Sequence, residues 1–536
     1  MPNLIFYNGT IATQDANQTV AQALAIDGDR IIAVGSDAAI LLLSGPDTRR
    51  IDLDGRLMVP GFIDTHIHFY EWALKRQGVK LDDTTSLADL LDRVRQTADS
   101  HPADHWIMGQ GFNETQWPTP QMPTRKRLDQ VAPMHPVLLW RCDLHLAVAN
   151  SMALAAASID AATPDPPDGR IERDESGKPN GILRELAINL VRQAIPPQST
   201  EVIQQALGEA TASLHQKGIT GIHDVRLMDD DDGGAAFRMF QRLNQDHRLK
   251  LRTWVTLPGE QLDTIIDLGL CTGYGNDRLR VGHVKFFSDG GMGARTAWMI
   301  DPYQDADRGM PLMDMDALAH AIRRADAAGL STMVHAIGDR ANREVIDIFE
   351  ALETHRVPGN APPPRIPHRI EHVQMIRPAD AARLKGLNLA LNVTPANMLL
   401  DIDLIDAAVG EMGQYTYAFR RLLDTGLPVM FSSDCPVCDP DPLLGIRAAV
   451  TRQRDDGSPA GGWYPQNRVT VEEAIRAYTT TPASVQHTPD VGVIAPGNKA
   501  DLAILNHNIL HLPPSRLPEA RVDMTVLNGE IVYRQF

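Results

Sequence analysis

Residues 61–68 read GFIDTHIH, and they close the apolar stretch that begins at Leu57. On a strand, residues i and i+2 point to the same side, so His66 and His68 face one point in space. Two neutral imidazoles placed in that way are good ligands for zinc or a similar ion. An isolated HxH occurs by chance in strands and loops. Preceded by VPGFID at the end of an apolar strand, it marks a strand terminus that carries chemistry.

Outward from this octet, short apolar β-rich stretches alternate with Ala/Leu-rich helical ones, the pattern of a parallel α/β fold. Candidate strands lie at 58–66, 218–225, 250–256, 281–288, 331–336, 367–373, 388–394 and 427–434. That makes eight, the number a closed barrel of this kind requires. The gap between the first two is too long for one crossover, so residues 75–200 are expected to form an insertion, rich in Pro and Trp (WPTPQMPT at 117–124, TPDPPDG at 163–169). Following the first strand, it would emerge on the face where barrel active sites lie, as a lid.

The two chain ends share a different texture. LIFYNGTIAT and ALAIDGDRIIAVG near the start, and GVIAPGNKADLAIL and VDMTVLNGEIVY near the end, read as short strands joined by tight turns at Asp27-Gly28 and Asn528-Gly529. Residues 1–57 and 492–536 are therefore expected to form one small β-sandwich, with the barrel at 58–491. The fold class is thus α/β: a (β/α)8 TIM-like barrel, a β-sandwich built from both ends, and a large insertion after barrel strand 1.

Bulk properties exclude several classes. A formal charge of −17 argues against nucleic acid as a partner. No run approaches the roughly 20 apolar residues of a membrane span, and MPNLIFYNGT lacks the basic and apolar regions of a signal peptide, so a cytoplasmic location is expected. Four cysteines cannot staple a chain of 536 residues, and Cys435-x-x-Cys438 has no second CxxC, so ordinary reduced thiols are expected. The acidic run Asp229–Asp232 reads as a solvated loop rather than a calcium site.

Four further residues fall at or just beyond candidate strand ends: Lys285 in VGHVKFFSDG, His335 in TMVHAIGD, His372 in HRIEHVQ and Asp434 in VMFSSDCP. Singly, each has an ordinary structural reading: a satisfied core histidine, a helix N-cap, a lysine paired with an acid. Together with His66 and His68 they put six polar residues at five strand ends, where barrel enzymes carry their catalytic groups.

The order HxH, Lys, His, His, Asp resembles the binuclear branch of the amidohydrolase superfamily. Finer marks resemble its amidohydrolase 3 group, which includes formamide deformylase-like and N-acyl amide hydrolase-like members: ALAIDGDRIIAVG (23–35), GFIDTHIH, KFFSDGGMG (285–293), HAIGD (335–339), RIEHVQ (369–374), SSDCPV (432–437) and GVIAPGNKADLAIL (492–505). The resemblance spans nearly the whole chain, and it says much about the metal site and little about the substrate. It implies two divalent ions, with zinc the default and iron, manganese or cobalt open. His66, His68 and Asp434 would bind one ion and His335 and His372 the other, with Lys285 bridging them as a carbamate formed with CO2. It implies a metal-bridging hydroxide that cleaves an amide-type C–N bond (N-acyl amide, formamide or carbamate) of a small molecule, with Asp434 as the catalytic proton carrier.

Substrate contacts are expected at His145 and Asp289, and Trp117 is a candidate pocket wall alongside Trp72 and Trp298. Asp339 and Glu371 are expected to orient His335 and His372. A homodimer is one assembly the chain could form. Two rival readings stand beside this one. A one-metal deaminase of the same superfamily usually has Glu three residues after the strand-five histidine, and Gly338 stands there. A catalytically dead scaffold typically loses metal ligands, and all six are kept here.

Overall fold

The computed structural model describes residues 1–141, 146–166, 169–226, 234–354 and 366–536. Eight parallel strands pair in sequence order: β1 (Phe62–Ile67), β2 (Ile219–Asp224), β3 (Arg252–Pro258), β4 (Leu279–Phe287), β5 (Thr332–Ala336), β6 (His368–His372), β7 (Leu389–Val393) and β8 (Val429–Phe431). Strands such as β1, β2, β6 and β7 are buried along their whole length, as parallel strands covered on both faces must be. The ring is drawn together beyond the last strand, where Asp434 N donates to His66 O and His68 N to Cys435 O, both at 2.8 Å. The expected (β/α)8 barrel is the observed one.

The first expected strand, 58–66, proves to be two. Leu57–Pro60 pairs antiparallel with Leu502–Leu505, and only Phe62–Ile67 enters the barrel. The switch falls at Gly61, whose N–H donates to Asp501 O at 2.9 Å. A Cβ there would run into the side chain of Thr220 on β2, so the crossing requires a residue without one. The eighth strand is also shorter than expected, because the chain leaves the ladder after Phe431 to reach a left-handed Asp434 (φ 57°).

Residues from both chain ends build two further sheets. One has four strands in the order Arg30–Gly35, Ala23–Asp27, Leu4–Tyr7, Arg49–Asp52. The other has six, in the order Glu530–Arg534, Val522–Leu527, Leu502–Leu505, Leu57–Pro60, Thr10–Ala12, Val20–Ala21. Phe6, Leu24 and Ile26 of the first share a core with Met58, Ile504 and Met524 of the second. At the Asn528-Gly529 hairpin both residues have positive φ (51° and 74°), which suits the right-handed twist of the strands it joins.

The chain divides into two compact units, Met1–Phe69 with Thr211–Phe536, and Tyr70–Ala210. The second contains a six-stranded sheet in the order Gly169–Arg173, Pro179–Glu185, Leu146–Ala149, Val137–Arg141, Ile107–Phe112, Val79–Lys80. Alternation along its strands feeds two cores. Val137 and Leu139 pack with Leu90 and Val94 of the helix Leu87–Ser100, while Leu138 packs with Ala153 and Ile188 from other helices. Trp117 belongs to the first of these cores, 3% exposed, with its indole N–H donating to Thr84 O at 2.8 Å. That corrects the expectation of a substrate contact: ring and polar edge are both consumed inside the unit.

Among the described residues, no helix is long and apolar enough to cross a membrane. Cys271, Cys435 and Cys438 are free thiols. Cys142 and the run Asp229–Asp232 lie outside the described residues.

Candidate metal centre

The barrel strands bring His66, His68 and Asp434 together so that one ligand atom of each lies within 4.8 Å of the others. Neighbouring groups settle where the ring protons sit. His68 Nδ1 is 2.8 Å from Val225 O, and a carbonyl can only accept, so Nδ1 carries the proton and Nε2 keeps its lone pair. His66 Nδ1 lies 2.5 Å from Glu371 Oε2, which leaves its Nε2 bare as well. Both Nε2 atoms then face the same carboxylate oxygen: Asp434 Oδ1 is 3.2 Å from His68 and 3.5 Å from His66. Three acceptors converge with no proton among them. A cation between them removes the mutual repulsion, and the donor set of two imidazoles and one carboxylate fits zinc or a related ion.

The cluster continues through two more rings. His372 lies 5.1 Å from His66 and His335 lies 4.6 Å from His372, centroid to centroid. His335 Nε2 is 3.3 Å from Gly290 O, so the free lone pair of that ring is on Nδ1. Burial depresses the pKa of His66 to about 4 and of His372 to about 3, and pushes that of His335 well below its ordinary value. All three are therefore neutral and able to ligate at neutral pH. Burial works to raise the pKa of Asp434, and a proton on any of the surrounding rings, His68 first, would work to lower it below the usual carboxylate range. Its Oδ2 accepts from Asn397 Nδ2 at 3.4 Å.

Lys285, on β4, is 2% exposed, with Nζ 4.6 Å from the centre of the Phe287 ring. Burial lowers its pKa to about 8, against the pull of Glu371 and Asp434. More of this amine is neutral near pH 8 than that of an exposed lysine, and the neutral form has the lone pair that reacts with CO2.

Two of these residues hold backbone conformations that L-residues rarely adopt: His372 (φ 66°), followed by Val373 (φ 41°), and Asp434 (φ 57°). Such strain concentrates at functional sites. Asp64, also on β1, ties the two ends of the barrel together by accepting from Ser433 N and Ser433 Oγ (3.1 and 2.5 Å).

Several supporting roles differ from expectation. Glu371 orients His66, not His372: neighbours on a strand point to opposite faces, so Glu371 reaches across the barrel to β1. Asp339 does not meet His335; it accepts from Ile300 N at 2.8 Å and Arg377 Nε at 2.6 Å. Asp289, expected to contact substrate, is fully buried and accepts from the backbone N–H groups of Trp298, Ile337 and Gly338 (2.8, 3.0 and 2.8 Å), so both its oxygens are occupied in holding the loops beside β5. Trp298 is half-buried under the Arg340 guanidinium, and Trp72 lies under Arg76. His145 lies outside the described residues. The thiols of Cys435 and Cys438 are pushed up by burial, that of Cys438 to about 12. Arg369, Asn392 and Asn397 escape the sequence reading, although Arg369 and Glu371 at positions i and i+2 already put two charges on one face of a barrel strand.

Comparison with known proteins agrees with this geometry. The model of the amidohydrolase family ("Amidohydrolase family") matches residues 49–533. Bacillus subtilis (strain 168) YtcJ, which carries the name of an amidohydrolase, is 31% identical over 99% of each chain. The N-substituted formamide deformylase of Arthrobacter pascens is 29% identical, covering 100% of this chain and 99% of its own. The crystal structure of an uncharacterized metal-dependent hydrolase from Pyrococcus furiosus superposes with a TM-score of 0.78 at 28% identity, over 95% of this chain and 99% of that one.

Proposed function

The chain belongs to the amidohydrolase family, a metal-dependent hydrolase acting on C–N bonds, and from that premise we propose that it cleaves an N-acyl amide, formamide or carbamate of a small molecule in the cytoplasm. The observation that carries the proposal is the convergence of the His66 and His68 Nε2 lone pairs on Asp434 Oδ1, their ring protons engaged elsewhere. The formamide deformylase relative favours an amide-type bond.

In this reading His66, His68 and Asp434 hold one divalent ion and His335 and His372 a second, zinc being the first choice. The ions supply Lewis acidity, which lowers the pKa of water and polarises a carbonyl. Lys285 supplies the anionic link: its neutral amine adds to CO2 and loses a proton, giving a carbamate whose oxygens can serve two cations where an ammonium would be repelled. Asp434 is the proton carrier. One oxygen faces the imidazoles while the other, beside Asn397, takes a proton from water and delivers it to the departing nitrogen.

Metal analysis of the purified protein, followed by assay on N-formyl, N-acyl and carbamate substrates, tests the proposal. About two divalent ions per chain and loss of activity on chelation are expected. A fully active preparation carrying less than roughly half an ion per chain would end it.

A further inference from the structure

His66 differs from His68 and His335 in what holds its ring. Those two give their ring protons to main-chain carbonyls, of Val225 and Gly290. His66 gives its own to a carboxylate, Glu371 Oε2, inside the barrel where both side chains are at most 1% exposed.

Glu371 is itself fixed from several sides. Arg369, two residues earlier on β6, donates Nε to Oε1 at 2.8 Å and Nη2 to Oε2 at 3.0 Å, and Asn392 Nδ2 on β7 donates to Oε2 at 2.9 Å. Arg369 Nη2 also donates to Thr65 O at 2.9 Å, and Nη1 meets His223 Nδ1 on β2 at 2.7 Å. A guanidinium only donates, so His223 Nδ1 accepts and its proton sits on Nε2. That N–H points at the Gln486 side-chain amide, which must therefore present its oxygen there. The Glu371 carboxylate, which only accepts, fixes the orientation of the Asn392 amide, leaving Asn392 Oδ1 to accept from Thr65 Oγ at 2.7 Å. Every proton in the chain Gln486–His223–Arg369–Glu371–His66 has one direction to run, and the last is the one that bares Nε2 of His66.

We propose that Arg369 and Glu371 are positioning residues that lock His66 in the Nδ1–H tautomer and aim its Nε2 at the ion shared with His68 and Asp434, with His223 holding Arg369 in place. The inference rests on the metal-centre reading above. A stability role explains the pair poorly. A buried ion pair gains little over well-packed apolar residues of the same volume, and branched aliphatic side chains ordinarily fill barrel interiors. A carboxylate partner also makes an imidazole a stronger donor to a metal than a carbonyl partner does.

Chelator competition on the full-length protein with zinc as probe, and the visible spectrum of the cobalt-loaded form, measure the effect. Glu371→Gln should weaken the ion held by His66 by about 10–100-fold and shift the cobalt bands. Arg369→Lys should fall between wild type and Arg369→Met. Wild-type protein that binds no ion would overturn both the metal-centre reading and this inference. Wild-type protein that binds tightly, with a Glu371→Gln variant of equal affinity and an unshifted spectrum, would overturn the inference alone. Because a lone buried Arg369 could compromise folding of that variant, a measurement on metal-free wild type decides independently. Histidine-selective 15N labelling should show His66 protonated on Nδ1, and an Nε2–H form overturns the proposal.

Discussion

In the proposed centre, metal binding by His66 and His68 would depend on protons being kept elsewhere, and the elsewhere is a specific atom in each case: Glu371 Oε2 for His66, Val225 O for His68. The residues that converge, His66, His68 and Asp434, are legible in the sequence as strand-end positions, the two histidines also by the i, i+2 rule. Their partners are harder to read, since a partner is set by which strands are neighbours across the barrel. Glu371 adjoins His372 in sequence yet serves His66, 305 positions away. The most exacting single residue is Asp434, at φ 57°, a conformation that Asn adopts about as readily as Asp. Asp434→Asn should therefore keep the backbone, leave the melting temperature nearly unchanged and still bind metal through its amide oxygen. Without a basic oxygen to carry the proton, kcat should fall by about 10²–10⁴-fold. Steady-state kinetics with metal analysis of the same preparation checks this, and a near-normal kcat would move the proton to another group.

Strand ends are where the elements do their work, and there too the sequence shows the body of a strand better than its ending. Alternation and apolar runs locate all eight barrel strands, but they run the first through Gly61, because nothing local says that Leu57–Pro60 pairs with a segment more than 440 residues later. Likewise they extend the last to Asp434, when the ladder stops at Phe431. The turn after β5 shows how closely such endings are packed. Gly338 donates its N–H to Asp289 Oδ2, and a Cβ on it would strike the backbone of Trp298, beginning with the carbonyl oxygen. Backbone cannot swing aside as a flexible side chain can. Gly338→Ala should push the 289–298 loop away from β5, disturb Gly290 O and with it the orientation of His335. A destabilisation of about 1–3 kcal/mol is expected, together with weaker metal binding. Thermal unfolding and chelator competition would show both effects, and a variant with wild-type values in each would mean that the loop is freer than its hydrogen bonds suggest.

For the whole molecule the informative quantities are buried groups that must change state on unfolding. In the unit Tyr70–Ala210, Trp117→Ala would leave a cavity between the sheet and the helix Leu87–Ser100, costing about 3–5 kcal/mol with the metal content of the protein unaltered. Lost metal at unchanged stability would return Trp117 to a functional role. Acid sensitivity is fixed more broadly. Burial holds His66, His105, His215, His223, His283, His335 and His372 below their ordinary value of 6.5. Burial acts oppositely on Asp64 and Asp289, raising both from 3.8 to about 7. Below about pH 6.5 the unfolded chain protonates these imidazoles more fully than the folded chain does, whereas the folded chain keeps protons on two carboxyls that the unfolded chain ionises. The histidines outnumber the carboxyls, so unfolding takes up protons on balance and stability falls as pH falls. Urea unfolding of the metal-free protein should show stability declining as pH falls below about 6.5, the ordinary histidine value. Bound metal should steepen the decline, because protons and the ion compete for the same lone pairs. A stability that stayed level or rose from pH 7 to pH 5 would mean that the buried imidazoles already carry protons in the folded state, and a cluster of charged rings could not be the metal centre described here.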